Sequence, residues 1–195
     1  MPSGQAYTKG VRMVKTCVGS TFCRFGTQDS IQAGIDLERA FENLFTPHKF
    51  KMGVVGCPRN CAEATVKDLG LIGQDGSWQV VVGGAAGKSV RKTDLLITVE
   101  TTEQAMEAAS LFFQYYRENA NYLERSYDFV ERFGIEKVRK DTVYASDAVK
   151  EGLLDRLAKS KTLSKDAWLE GETPVNATQF VQIEPLEINS EVTTR

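Results

Sequence analysis

Residues Lys49–Cys61 read KFKMGVVGCPRNC. KFKMGVV has the β-branched, apolar character of a strand, and it delivers the chain to Gly56-Cys57-Pro58. Proline suits the first turn of a helix: its fixed φ fits, and its missing N–H has no partner there anyway. The stretch therefore predicts a strand-to-helix turn, with Cys57 at the turn and Cys61 about one turn into the helix.

Upstream, VRMVKTCV (Val11–Val18) reads as a second strand running into Cys17 and Cys23. Between the two cysteine pairs a helix is expected from Asp29 or Ser30 to Phe45. Ile31, Ile35, Phe41 and Phe45 recur at near-helical spacing, and Pro47 closes the segment. Downstream come short strands at Leu69–Ile72 and Trp78–Val82, a glycine turn at Gly83, Gly84 and Gly87, and a strand at Leu95–Val99. Thr101 with Gln104 forms a capping-box pattern opening a helix to about Asn119, with Ala105, Ala108, Ala109, Phe112 and Tyr116 on one side. The ring set Phe112, Phe113, Tyr115, Tyr116 and Tyr122 reads as helix core. A further helix is expected over Tyr122–Phe133, stopped by Gly134. Ser146–Lys161 is a charged amphipathic helix, and FVQIEPLEI (180–188) is a possible strand in a polar tail. The layout is α+β: a mixed sheet with flanking helices over residues 1–140, then a C-terminal extension over 141–195.

The chain has 195 residues, of which 42% are hydrophobic, enough for one domain with its own core. A formal charge of −2 lacks the basic excess of a nucleic-acid module. Apolar runs fall short of the roughly 20 residues that cross a bilayer, and MPSGQAYTKG carries no signal-like apolar core. A cytoplasmic location is expected, with no membrane and no nucleic-acid partner. Four cysteines could form two disulfides in an exported protein. Without an export signal that reading weakens, and the Asn176-Ala177-Thr178 triplet does not restore it.

The cysteines follow the pattern C-x5-C, 33 intervening residues, then C-x3-C. Structural zinc sites favour C-x2–4-C knuckles, and a C-x5-C arm is long for one. It better suits a cubane, whose corners take four thiolates from different directions. Spacing alone leaves a cluster, zinc and unrelated buried cysteines all open.

The flanks narrow the choice. TCVGSTFC (Thr16–Cys23) with VVGCPRNC (Val54–Cys61) and the following AEATVKDLGLIG (Ala62–Gly73) resembles the paired signature of sirohaem-dependent nitrite and sulfite reductases. RFGTQDS (Arg24–Ser30) and YLERSYDFVERFGI (Tyr122–Ile135) are similar, more narrowly, to assimilatory NAD(P)H nitrite reductase large subunits. The resemblance covers about residues 2–140. It implies the fold of the nitrite/sulfite reductase 4Fe-4S (sirohaem) domain. It further implies that Cys17, Cys23, Cys57 and Cys61 ligate a [4Fe–4S] cluster, with Cys61 also bridging to sirohaem iron. A helix N-terminus beneath Cys57 and Cys61 would favour the cluster's negative charge.

Many members carry Asn directly after the proline; here Arg59 takes that place and Asn60 follows. Arg59 could pair with a sirohaem carboxylate or simply face solvent. The family's substrate cradle and its FAD and NAD(P)H sites lie in regions preceding the first cysteine pair, and only sixteen residues precede Cys17. The expectation is a C-terminal piece of a nitrite-reducing enzyme, inactive alone, partnered by upstream domains and a small subunit. The alternatives are a sulfite reductase fragment and a zinc-binding or interaction module using the same cysteines.

Three features read blandly. VVVGGAAGKSV (Val80–Val90) tempts a phosphate-loop reading, but Gly83 and Gly87 enclose only three residues where that loop needs four. His48 has no partner pattern, and the charge run from Arg156 reads as a solvated helix face.

Overall fold

The computed structural model describes residues 10–164. In chain order the elements are β1 (Lys15–Thr16), α1 (Gly19–Phe22), α2 (Ser30–Phe41), β2 (Met52–Val55), a 3-10 turn (Ala64–Val66), β3 (Leu69–Gln74), β4 (Ser77–Val82), β5 (Ala85–Ala86), β6 (Val90–Arg91), β7 (Asp94–Val99), α3 (Thr102–Asn119), α4 (Ser126–Phe133), α5 (Ile135–Asp141) and α6 (Asp147–Leu163). Five strands form one mixed sheet in the order β1-β2-β3-β4-β7, and β5 pairs β6 in a separate hairpin. β1, β2 and β3 run parallel; β4 and β7 are antiparallel additions. The fold is α+β, as expected.

One face of the sheet carries the main core. α3 opens on the anticipated capping box, Thr101 accepting from the Gln104 amide, and buries Ala105, Ala108, Ala109, Phe112, Phe113 and Tyr116. Phe113 stacks on Phe41 of α2 at 4.2 Å between ring centroids and meets Phe50 edge-on at 5.2 Å. α6 adds Leu153 and Leu157 to this core, and Arg156 pairs with Glu118 of α3. The opposite face holds a smaller cluster of Val55, Ala62, Ala64, Ile72 and Val81, against which Cys17 packs.

Several expectations need correction. Of the strand expected over 11–18, only Lys15–Thr16 enters the ladder, preceded by single bridges at Gly10 and Val11. α2 is capped by Asp29, whose side chain accepts from the Gln32 amide, but ends at Phe41, and Asn43 turns left-handed. Its buried stripe is Ala33, Gly34, Leu37 and Phe41, so Ile35 and Phe45 lie exposed. α4 starts four residues later than expected, after Leu123 takes a positive φ, which leaves Tyr122 81% exposed rather than in the core. Gly134 ends α4 but also begins α5, a helix its stop signal concealed. After Lys88-Ser89 comes β6 and no helix, so the glycine turn is a hairpin. The possible strand at 180–188 lies outside the described residues. Among the described residues no helix is long and apolar enough to cross a membrane.

Candidate metal centre

Cys17 directly follows β1 and Cys57 follows β2 at Gly56. Because these strands are parallel neighbours, both cysteine pairs emerge at the same end of the sheet, the carboxyl end, where parallel sheets place their ligands.

Gly56 fastens the two pairs together. Its N–H donates to Cys17 Sγ at 3.2 Å. Its carbonyl accepts from the amides of Thr27 and Gln28 and from Thr27 Oγ1. The loop bearing Cys23 is thereby sewn to the residue preceding Cys57. Cys23 itself closes α1, its amide donating to the Gly19 carbonyl. Such close backbone contact needs glycine: a Cβ at position 56 would stand 2.6 Å from the Gln28 carbonyl oxygen and 2.7 Å from Gly19 Cα. Gly73 of β3 closes the other side, where a Cβ would meet the Gly56 carbonyl at 2.7 Å.

The helix expected at Pro58 is absent. Cys57–Cys61 is a pair of turns, and the only helical geometry nearby is the 3-10 turn from Ala64. Asn60 and Glu63 both adopt positive φ, which interrupts any α ladder. The Asn60 side chain supplies the alternative, donating to Thr65 Oγ1 at 2.6 Å and accepting from the Thr65 amide. Cys57 and Cys61 therefore have no α-helix N-terminus beneath them, while charge at Cys17 is met by the Gly56 amide.

Cys57 is buried, Cys17 and Cys23 are half-buried, Cys61 is exposed, and all four thiols are free. Among the described residues no group of three or more His, Cys, Asp or Glu side chains is placed to hold a metal ion. Burial alone would raise the Cys17 thiol. Hydrogen bonds from the Gly56 amide, the Ser30 hydroxyl and the Gly19 amide outweigh it and hold this thiol below its ordinary value. Ser30, which the sequence offered only as a helix cap, lies with Oγ 3.3 Å from Cys17 Sγ and 2.9 Å from the Cys17 carbonyl, and its single proton turns from the carbonyl to the sulfur when the thiol ionises. A depressed thiol contributes stability that grows as pH rises toward the ordinary cysteine range and is lost as pH falls through the folded value. Alkylation of the metal-free chain with iodoacetamide, followed residue by residue by mass spectrometry, should therefore give Cys17 a midpoint below that of an unstructured cysteine. Ser30→Ala should move that midpoint upward; no movement would remove Ser30 from the account.

The two flanks also meet through one ring. The guanidinium of Arg59 lies 3.9 Å from the centroid of Phe25, and that of Arg24 lies 4.5 Å from it. Phe25, Phe22 and Val18 are 42%, 78% and 50% exposed, an apolar rim around the cysteine loops. The sequence singled out Arg59 but gave no sign of its ring partner, because the pairing crosses 34 residues of chain. Glu63 completes the surround: Lys15 and then Lys67 bind its carboxylate at 3.0 and 3.2 Å and hold it below the ordinary range.

Four free thiols on two loops sharing one glycine, with an amide already aimed at a sulfur, fit the donor set of an iron–sulfur cluster. The chain is 51% identical over 168 residues to the Bacillus subtilis protein named nitrite reductase [NAD(P)H], covering 86% of this chain and 21% of that one. It is 36% identical over 137 residues to an assimilatory-type sulfite reductase of Nitratidesulfovibrio vulgaris, covering 70% of this chain and 63% of that one. The structure of Mycobacterium tuberculosis NirA superposes with a TM-score of 0.61 at 15% identity, over 75% of this chain and 28% of that one. The chain thus spans about a fifth of the length of its Bacillus relative. Residues 7–147 match the family described as "Nitrite and sulphite reductase 4Fe-4S domain", to which this chain belongs.

Proposed function

We propose that residues 1–140 form the cluster- and sirohaem-carrying part of an NAD(P)H nitrite reductase large subunit, with 141–195 as an extension. The observation that supports this most directly is the Gly56 junction, which draws the loops of both cysteine pairs to one end of neighbouring parallel strands. Cys17, Cys23, Cys57 and Cys61 would hold a [4Fe–4S] cluster, and the exposed Cys61 would also reach the iron of sirohaem. When bound, these groups supply one-electron transfer and the iron at which nitrite is reduced to ammonia by six electrons from NAD(P)H.

This chain's own residues do four things in that scheme. Gly56 donates its amide to the Cys17 sulfur, which favours the thiolate needed for ligation. Ser30 orients the same side chain. Arg59 and Arg24, stacked on Phe25, stand where they could meet carboxylates of a macrocycle laid on the Val18–Phe22–Phe25 rim. Asn60 shapes the loop through Thr65 and so acts on Cys61 by position. FAD, NAD(P)H and the substrate cradle belong to upstream domains of the longer subunit, with a small subunit as a further partner, and the complete protein would work in the cytoplasm.

Anaerobic reconstitution of the chain with ferrous iron and sulfide tests the reading. About four irons and four sulfides per chain, with a broad absorbance in the blue, are expected. One zinc per chain without sulfide would overturn it in favour of a zinc module. The sulfite reductase relative favours a second reading, sulfite as substrate. Comparing nitrite with sulfite turnover by the full-length protein separates the two.

A further inference from the structure

Ser30 carries a hydroxyl that its place in the helix does not require. It is the first residue of α2, but Asp29 already caps that helix by accepting from the Gln32 amide. The Ser30 side chain is buried, 0% exposed, and reaches back to Cys17, 13 residues earlier in the chain. Two glycines keep open the space it fills. A Cβ at position 19 would stand 2.5 Å from Ser30 Oγ, and one at position 56 would stand 3.4 Å from it.

One proton there has two acceptors within reach. Oγ lies 2.9 Å from the Cys17 carbonyl oxygen and 3.3 Å from Cys17 Sγ. The hydroxyl rotates about its Cβ–Oγ bond, so its proton goes to the sulfur once that sulfur is a thiolate, as ligation requires. The Gly56 amide, 3.2 Å from the same sulfur, is the second donor, and its direction is fixed by the backbone. Among the described residues, hydrogen bonds to a cysteine sulfur converge on Cys17. Val55, Ala62 and Ile72 belong to the apolar cluster against which Cys17 packs, and a hydrogen bond is electrostatically stronger in such surroundings than in water.

Hydrogen bonds to the sulfurs of an iron–sulfur cluster help set its reduction potential, because they favour the more negative state. We propose that Ser30 is a positioning residue that raises the reduction potential of a cluster held through Cys17. Its hydroxyl donates to the ligating sulfur, and the bond tightens when an added electron makes that sulfur more negative. One electron enters from a one-electron donor, no covalent bond forms or breaks, and Ser30 keeps its proton. The inference rests on the function proposed above, which supplies the cluster.

The test reconstitutes the 195-residue chain anaerobically with ferrous iron and sulfide. The electron paramagnetic resonance signal of the reduced cluster is then followed as mediators and dithionite step the potential. Ser30→Ala should lower the midpoint. At a fixed potential the ratio of reduced to oxidised cluster should fall about tenfold, equivalent to about 59 mV for one electron. Thr27→Ala is the comparison: it removes a 2.9 Å bond to the Gly56 carbonyl in the same junction but takes no donor from the sulfur. Its midpoint should match the parent's. A Ser30→Ala midpoint equal to the parent's would overturn the proposal. So would an equal fall in Thr27→Ala, which would assign the effect to a loosened junction. The signal comes from loaded molecules alone, so a Ser30→Ala chain that incorporates less iron still gives a midpoint that decides. A parent chain that takes up no iron and sulfide would instead sink the function proposed above, and this inference with it.

Discussion

Gly56→Ala should lower the free energy of unfolding by about 3 kcal/mol, the upper range for overpacking a tight site, and should sharply reduce iron incorporation. The added methyl would press on the Gln28 carbonyl oxygen and Gly19 Cα, both main-chain atoms that cannot rotate away, while Gly73 blocks retreat from the other side. Relief requires the 17–30 loop to move off β2. That breaks the Gly56 amide bond to Cys17 Sγ and the three bonds accepted by the Gly56 carbonyl. A urea transition with unchanged slope and lower midpoint measures the cost. Gly87→Ala is the control, since nothing lies within 4 Å of a Cβ there; its effect should stay within about 0.5 kcal/mol. Equal stability of Gly56→Ala and the parent would show that the junction is not tight.

Asp68→Ala should cost about 3–5 kcal/mol, because removing one partner of a buried ion pair strands the other. Asp68 is 1% exposed. Its carboxylate accepts from Arg125 Nη2 at 3.1 and 3.2 Å, from Ser126 Oγ at 2.5 Å and from the Lys51 amide at 2.8 Å. Truncation leaves a guanidinium, a buried hydroxyl and a strand amide without their acceptor. The backbone carbonyls of Lys67 and Asp68, which accept from Gly84 and Gly83, stay in place, so the loss falls on the attachment of α4, which carries Ser126, to β3. At roughly 2–4 °C per kcal/mol for a chain of this size, calorimetry should show a melting point lower by about 10 °C. Asp68→Asn, which keeps an acceptor for Lys51, should fall between. A melting point unchanged in Asp68→Ala would mean that Arg125 and Ser126 find other partners.

Locally encoded features were legible from the chain alone. The α3 capping box depends on two side chains three residues apart. β3 and β4 lie in one short hairpin, paired from Gln74↔Ser77 to Leu69↔Val82. α6 begins at Asp147, one residue from the start expected at Ser146. Misreadings arose where a side chain chose a partner the local pattern does not contain. Pro58 does favour a first helical turn, but the Asn60 amide group bonds Thr65 and holds the backbone left-handed. Ile35 and Phe45 have helical spacing, yet α2 rotates so that Gly34 seats against Thr16 of β1, and that close approach decides which stripe is buried.

The sequence by itself determined the kind of chemistry: four thiols in two spaced pairs, and flanks specific enough to indicate a family to which the chain does belong. Only the tertiary structure decided how the pairs meet. Parallel pairing of β1 with β2 brings Cys17 and Cys57 to one end, and a glycine whose amide faces sulfur replaces the helix N-terminus that local rules expected. The reason is that ligand types and caps are written in neighbouring residues, whereas a backbone amide's partner across 39 residues depends on close packing that no local pattern records.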